Sequence, residues 1–202
     1  MAYKIEINNL EKTLSYDLAP KTKIHIEKFS YTFENGKCYG LNLSDKKGWL
    51  ISECFTGKIR SKNISLFITE PEHKWLNRKE LMKISIPVGI PPNRCFYKYI
   101  KNRLNNEELE ALINDFGLSY QRIKRPLKKC GSERWRMGVA LGKVLNKTIF
   151  CFPFIFSDIL NMYSSLWLGE FINKVKEKGG IVLIPTEINK DISKLFDCII
   201  DD

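Results

Sequence analysis

The chain has 202 residues, 44% of them hydrophobic, and a formal net charge of +10. That is enough apolar material for one sizeable core, and no apolar run approaches the roughly 20 residues of a membrane-crossing helix. Six scattered cysteines, two histidines and an N-terminus without an apolar secretion signal argue against a disulfide framework or a zinc site. A cytosolic chain with reduced thiols is therefore expected.

Alternation predicts a short strand over Lys4–Asn8 and a clearer one over Thr22–Thr32, with a turn at Glu34-Asn35-Gly36-Lys37. Cys38–Leu43 reads as an apolar strand entering a loop. Trp49–Thr56 reads as a helix capped by Gly57. Further strands are predicted at Ile64–Thr69 and Lys83–Val88, and Gly89-Ile90-Pro91-Pro92-Asn93 breaks the chain. Phe96 to about Gly117 is helical in pattern, with an Asn105 cap and first-turn acids within it. A second helix is predicted from about Ser132 to Leu145, then a buried strand over Thr148–Phe152. A long amphipathic helix over Asp158–Lys178 follows, ended by Gly179-Gly180. A buried strand at Ile181–Ile184, a short helix at Ile192–Phe196 and a strand at Cys198–Ile200 complete the chain. Strands alternating with helices in the second half imply an α/β fold. Its sheet is mostly parallel, flanked by helices and preceded by antiparallel strands.

Four segments, in order, carry a resemblance. Gly40-Leu41-Asn42-Leu43-Ser44-Asp45-Lys46-Lys47-Gly48-Trp49-Leu50 has the layout of a strand, a phosphate-binding loop and a helix. Cys130-Gly131-Ser132-Glu133 precedes a helix; Ile149-Phe150-Cys151-Phe152-Pro153-Phe154 is an apolar strand with its exit; Ile184-Pro185-Thr186-Glu187 ends another strand. Their sequence and spacing resemble the nucleotide-binding domain of an ATP-binding cassette (ABC) transporter, over nearly the whole chain.

That resemblance implies a P-loop NTPase-like fold, one domain over residues 1–202, with a helical subdomain over about residues 93–145. The family's phosphate loop reads G-x-x-x-x-G-K-[ST]. Its backbone N–H groups and lysine grip the phosphates, and its hydroxyl holds magnesium. Here Leu43 stands for the first glycine, Gly48 matches the second, Trp49 replaces the lysine and Leu50 the hydroxyl. Pro153 and Phe154 replace the magnesium-binding aspartate and the glutamate that polarises water. Glu187 replaces the switch histidine. In the signature, Gly131 and Glu133 match, while Cys130 and Ser132 stand for a serine and a glycine. Tyr16 lies where the family keeps an aromatic against adenine, or is a surface tyrosine.

A phosphate beside Trp49 and Leu50 would lose water without adequate pairing, so Mg-ATP binding at this chain's own loop is expected to be absent or very weak, with Lys46 and Lys47 left as weak anion attractors. The expected function is a subunit that does not hydrolyse ATP, without catalytic residue, metal or cofactor of its own. Mg-ATP would enter only through a partner. The implied partners are an active cassette ATPase and a membrane-spanning permease subunit, at the inner face of the cell membrane; a homodimer stays open. A second reading is a basic adapter for nucleic acid or the ribosome, with Lys124, Arg125, Lys128, Lys129, Arg134 and Arg136 around Trp135. A third is an enzyme with a rebuilt site, with Glu187, Asp45 and His25 as its acid–base candidates.

Overall fold

The computed structural model describes residues 1–16, 19–70, 73–88, 95–131 and 133–202. The chain begins with a long hairpin, β1 (Ala2–Tyr16) and β2 (Ala19–Glu34), paired from Ala2 opposite Glu34 to Tyr16 opposite Ala19. Both strands outrun the segments the alternation predicts. Along residues 10–14 the inward positions hold Leu10, Lys12 and Leu14, and the lysine hides the period of two. β4 (Ile64–Glu70) pairs with only the first half of β1, from Ala2 to Ile7, and β5 (Lys74–Trp75) pairs with β4. The four-stranded order is β2-β1-β4-β5.

The second sheet is parallel throughout, in the order β6-β7-β8-β3-β9. Its strands are β3 (Cys38–Asn42), β6 (Ser85–Pro87), β7 (Ile149–Cys151), β8 (Ile181–Pro185) and β9 (Cys198–Asp201). Both faces are covered, which is why β7 and β8 read as unbroken apolar runs. Leu41, Ile149, Ile181 and Leu183 face the hairpin and α1 (Lys47–Phe55), whereas Phe150, Val182 and Ile184 face α5 (Glu133–Val144) and the helices near the C-terminus. Pro87 sits in the edge strand β6, where a missing N–H costs little.

Three predictions need correction, and at each an asparagine cap starts the helix concerned. The strand predicted over Lys83–Val88 is confirmed at Ser85–Pro87, while its first two residues, Lys83 and Ile84, end α2 (Arg78–Ile84). Asn77 and Glu80 form a reciprocal capping box at the start of that helix. The single helix predicted from Phe96 divides into α3 (Phe96–Ile100) and α4 (Asn106–Asp115). Asn105 and Glu108 form a second capping box, which holds Asn105 in an extended conformation. Near the end, α8 spans Lys190–Ser193 rather than Ile192–Phe196, started by the Asn189 side chain accepting from the Asp191 and Ile192 N–H groups.

The long helix predicted over Asp158–Lys178 is α6 (Ser157–Tyr163), a π-helical turn at Ser164–Leu168 and α7 (Gly169–Glu177) in succession. Phe96, Ile100, Leu112, Ile123, Cys130 and Met137 form a separate hydrophobic cluster that unites α3, α4 and the inner face of α5. The predicted break at Gly89–Asn93 lies outside the described residues.

Candidate functional site

In an open parallel sheet, ligands bind beyond the carboxyl ends of the strands. Three of the four segments singled out above converge there, after the neighbouring strands β7, β8 and β3. The loop after β3 opens with a 3-10 turn over Ser44–Lys46. Asp45 and Lys46 adopt φ values of 52° and 58°, in the left-handed region that costs a residue with a Cβ about 1–2 kcal/mol. The turn is held from the side. Ser44 donates its N–H (2.8 Å) and its hydroxyl to the Asp202 carboxylate, and the Lys47 ammonium lies 3.4 Å from the same group. Ser44 above all, with Lys47 adding to it, holds the Asp202 carboxyl below its usual range. Two residues before Ser44, Asn42 donates to Asp201 at 2.6 Å and accepts the Ile188 N–H at 2.9 Å.

Gly48 is required by packing. A Cβ there would lie 2.5 Å from the Leu41 carbonyl oxygen and 2.7 Å from the Leu41 Cβ, so α1 leaves the sheet closer than any other residue allows. The glycine thus serves helix–strand approach whether or not a phosphate is present.

Trp49 and Leu50 point into the molecule. Trp49 is 4% exposed and Leu50 is fully buried, both in the cluster that contains Leu10, Ile24 and Ile26 of the hairpin. Among the described residues, no acceptor completes a hydrogen bond to the Trp49 indole N–H. One turn on, Glu53 is buried beside it. Burial pushes this carboxyl above its usual range, opposed by the Lys58 ammonium and by the neighbouring Trp49 side chain. Two residues after Leu50, the Ser52 hydroxyl donates to the Phe152 carbonyl at 2.8 Å and so ties α1 to the exit of β7.

Pro153 is buried and Phe154 half-buried at that exit. The Lys46 ammonium lies 5.2 Å from the centroid of the Phe154 ring, which in turn meets Phe156 edge-on at 5.4 Å. Both loop lysines are therefore engaged, Lys46 by an aromatic face and Lys47 by Asp202. After β8, Thr186 is buried and its N–H donates to the Leu41 carbonyl at 3.3 Å, while Glu187 is exposed.

The signature-like segment sits elsewhere, where α5 begins. Gly131 has φ +57° and open space around the position of a Cβ. Cys130 is buried, its thiol directed at the Arg122 and Pro126 carbonyls. Glu133 is turned inward. It accepts the Ser119 N–H and, at 3.0 Å, the Arg122 guanidinium, and so fastens α5 to the preceding turn. Ser132, and the side chains of Tyr16 and Lys128, lie outside the described residues.

The basic patch considered for nucleic acid is smaller than its sequence suggests. Arg134 and Trp135 are buried, and Arg136 donates to the Phe116 and Gly117 carbonyls at the end of α4. The exposed Lys124 stacks over Tyr120, 4.5 Å from its ring centroid. Among the acid–base candidates, Asp45 and Glu187 are exposed; the exposed His25 is 2.9 Å from Asn9 on the hairpin.

Sequence reasoning missed the contributions of Ser52, Asp201 and Asp202. Their roles follow from the parallel registers that set β9 beside β3 and β7 near α1, and nothing local to those residues announces them.

No protein-family model and no curated protein matches this chain. Solved structures share its fold. The ATP-binding subunit of an ABC transporter superposes with a TM-score of 0.64 at 16% identity, covering 98% of this chain and 85% of that one. A dimeric bacterial ABC transporter cassette gives 0.65 at 14% identity, covering 98% and 93%. The cbiO1 protein of Clostridium perfringens, part of the ABC transporter complex cbiONQ, gives 0.63 at 12% identity, covering 100% and 85%. The chain therefore has the α/β fold of ABC transporter ATP-binding cassettes, with a parallel sheet and N-terminal antiparallel strands. No helix among the described residues is long and apolar enough to cross a membrane.

Proposed function

We propose that this chain is a catalytically silent cassette subunit that acts by assembly. It pairs with an active cassette ATPase and docks on a membrane-spanning permease subunit, and its own phosphate loop holds no Mg-ATP. The observation that carries the reading is the burial of Trp49 and Leu50 in the core at the positions of the phosphate-gripping lysine and the metal-binding hydroxyl. A triphosphate with magnesium needs fixed cations, a hydroxyl and a carboxylate around it. Here the two nearby lysines are engaged by Phe154 and Asp202, Ser52 is bonded to a backbone carbonyl, and Pro153 stands at the carboxylate's place. The residues present do not fit the nucleotide.

Gly131 supports a role for the other half of the site. It is exposed, in a left-handed conformation, with open space around it at the entrance to α5, where a helix N-terminus can meet a phosphate held by another subunit. The dimeric cassette and the complex-forming cbiO1 protein among the structural likenesses are consistent with a paired arrangement. The excess of positive charge suits a position at the inner face of an acidic membrane. Calorimetric titration of the isolated chain with Mg-ATP is the test. No saturable heat at millimolar nucleotide is expected, and micromolar binding with turnover would overturn the reading. Purification from the native host should bring down an ATPase and a permease; recovery of salt-sensitive RNA would favour the adapter instead.

A further inference from the structure

At the opposite end of the parallel sheet, beside the amino ends of β7 and β8, lies a cavity of about 680 Å³. Phe150 of β7 and Phe171 and Val175 of α7 line its apolar inner part, with Phe116 from the end of α4 on one side. Leu166 and Trp167 close the other side. Both belong to the π-helical turn, a rare geometry that is enriched where helices serve a site. Phe150 meets Phe171 edge-on at 5.2 Å and Trp167 stands 6.3 Å from Phe171, so the wall is a continuous aromatic surface. Leu166 is 69% exposed, an apolar side chain left in water at the rim.

The rim is charged, and its charges do not cancel. Five basic and three acidic side chains line the cavity, an excess of two positive charges. Lys143 is paired with Asp115, and Lys174 with Glu170. Arg136 and Lys147 donate to main-chain carbonyls instead, Arg136 to Gly117 at 2.8 Å and Lys147 to Met82 and Lys83 at 2.6 and 2.9 Å. Those bonds fix two cations in place while leaving their charge without a counter-ion among these contacts. The volume lies within the roughly 300–1,000 Å³ of small-molecule sites, and an apolar interior with a few fixed polar groups is the usual composition of one.

We propose that this cavity binds a small amphipathic carboxylate, its aliphatic or aromatic body against Trp167 and Phe171 and its carboxylate at the basic rim. The excess positive charge selects the anion over a neutral or cationic analogue, and the fixed rim side chains lose little freedom on binding. Because its walls come from the end of α4, from α5 and from the sheet with α7, an occupant also braces the helical cluster against the parallel sheet. The site is separate from the phosphate loop, so this inference stands whether or not the chain is a silent cassette subunit.

The experiment is calorimetric titration of the purified chain with octanoate, 1-octanol and octylamine. Octanoate should bind saturably at one site and about tenfold or more tighter than the alcohol, as a charge-assisted contact predicts, with the amine weakest. Leu166→Glu, at an exposed position that tolerates a polar residue, should weaken octanoate about tenfold by like-charge repulsion. Ile159→Glu, exposed on α6 and outside the cavity, should leave the affinity unchanged. Circular dichroism checks that both variants are folded. Equal affinity for the acid and the alcohol, equal effects of the two substitutions, or no saturation below about 10 mM, the weak end of specific binding, would each overturn the proposal.

Discussion

After β3 the chain enters a loop whose helix turns Trp49 and Leu50 into the core, whereas before α5 it turns at an exposed Gly131 with open space around it. The first loop is filled by its own apolar side chains, and its lysines are occupied by Phe154 and Asp202. The second keeps its glycine clear and uses its acid, Glu133, to fasten the turn from within. A loop filled by side chains is a structural element whose loss is felt in stability. A loop left open contributes little to stability, so substitutions there report on whatever meets it. The comparison separates two kinds of experiment, one read as unfolding and the other as assembly.

The largest effect is expected for Trp49→Lys, which puts a lysine at the position where a phosphate-binding loop carries one. It removes a buried indole, worth about 3–5 kcal/mol when truncated, and places an ammonium in an apolar cluster. Urea denaturation should show a loss of at least about 3 kcal/mol, and Mg-ATP calorimetry no gain. A folded variant that binds nucleotide would erase the contrast between the two loops. Glu133→Ala should cost about 2 kcal/mol, the range for hydrogen bonds to a charged group, because the Ser119 N–H and Arg122 both lose their acceptor. A neutral result would mean that the acid faces outward in solution and belongs to the interface.

Glu53→Gln should have a smaller effect, and of opposite sign. Burial raises the Glu53 carboxyl in the folded chain, so the stability linked to its neutral form is complete below the ordinary glutamate range. It is lost as pH rises through the raised value. The glutamine variant should be the more stable at neutral pH and should flatten the stability–pH curve from the glutamate range upward, read by thermal melts across pH. Gly131→Asp should change stability least, within about 1 kcal/mol, since aspartate tolerates the left-handed region. In the proposed complex with an active cassette ATPase it should lower turnover roughly tenfold or more, as a carboxylate beside a phosphate is repelled by a kcal/mol or more. Unchanged turnover would remove this turn from the proposed shared site.

Sequence alone determined the class of fold. The unbroken apolar runs of β7 and β8 require a sheet covered on both sides, and the alternation of strands with helices makes it parallel. It also singled out the segments after β3, β7 and β8, because loops that leave strand ends are local in sequence. Local reading missed α2 and its capping box at Asn77, whereas the cap read at Asn105 is where α4 begins, and the helical pattern that spans it is broken there. Only the tertiary structure decided what fills the loop and what holds it. Trp49 is buried because the outer half of the hairpin belongs to the same core, and Asp202 reaches Ser44 because β9 lies in register beside β3. Contacts between residues 158 positions apart depend on strand order and register, and no local pattern of residue types encodes either.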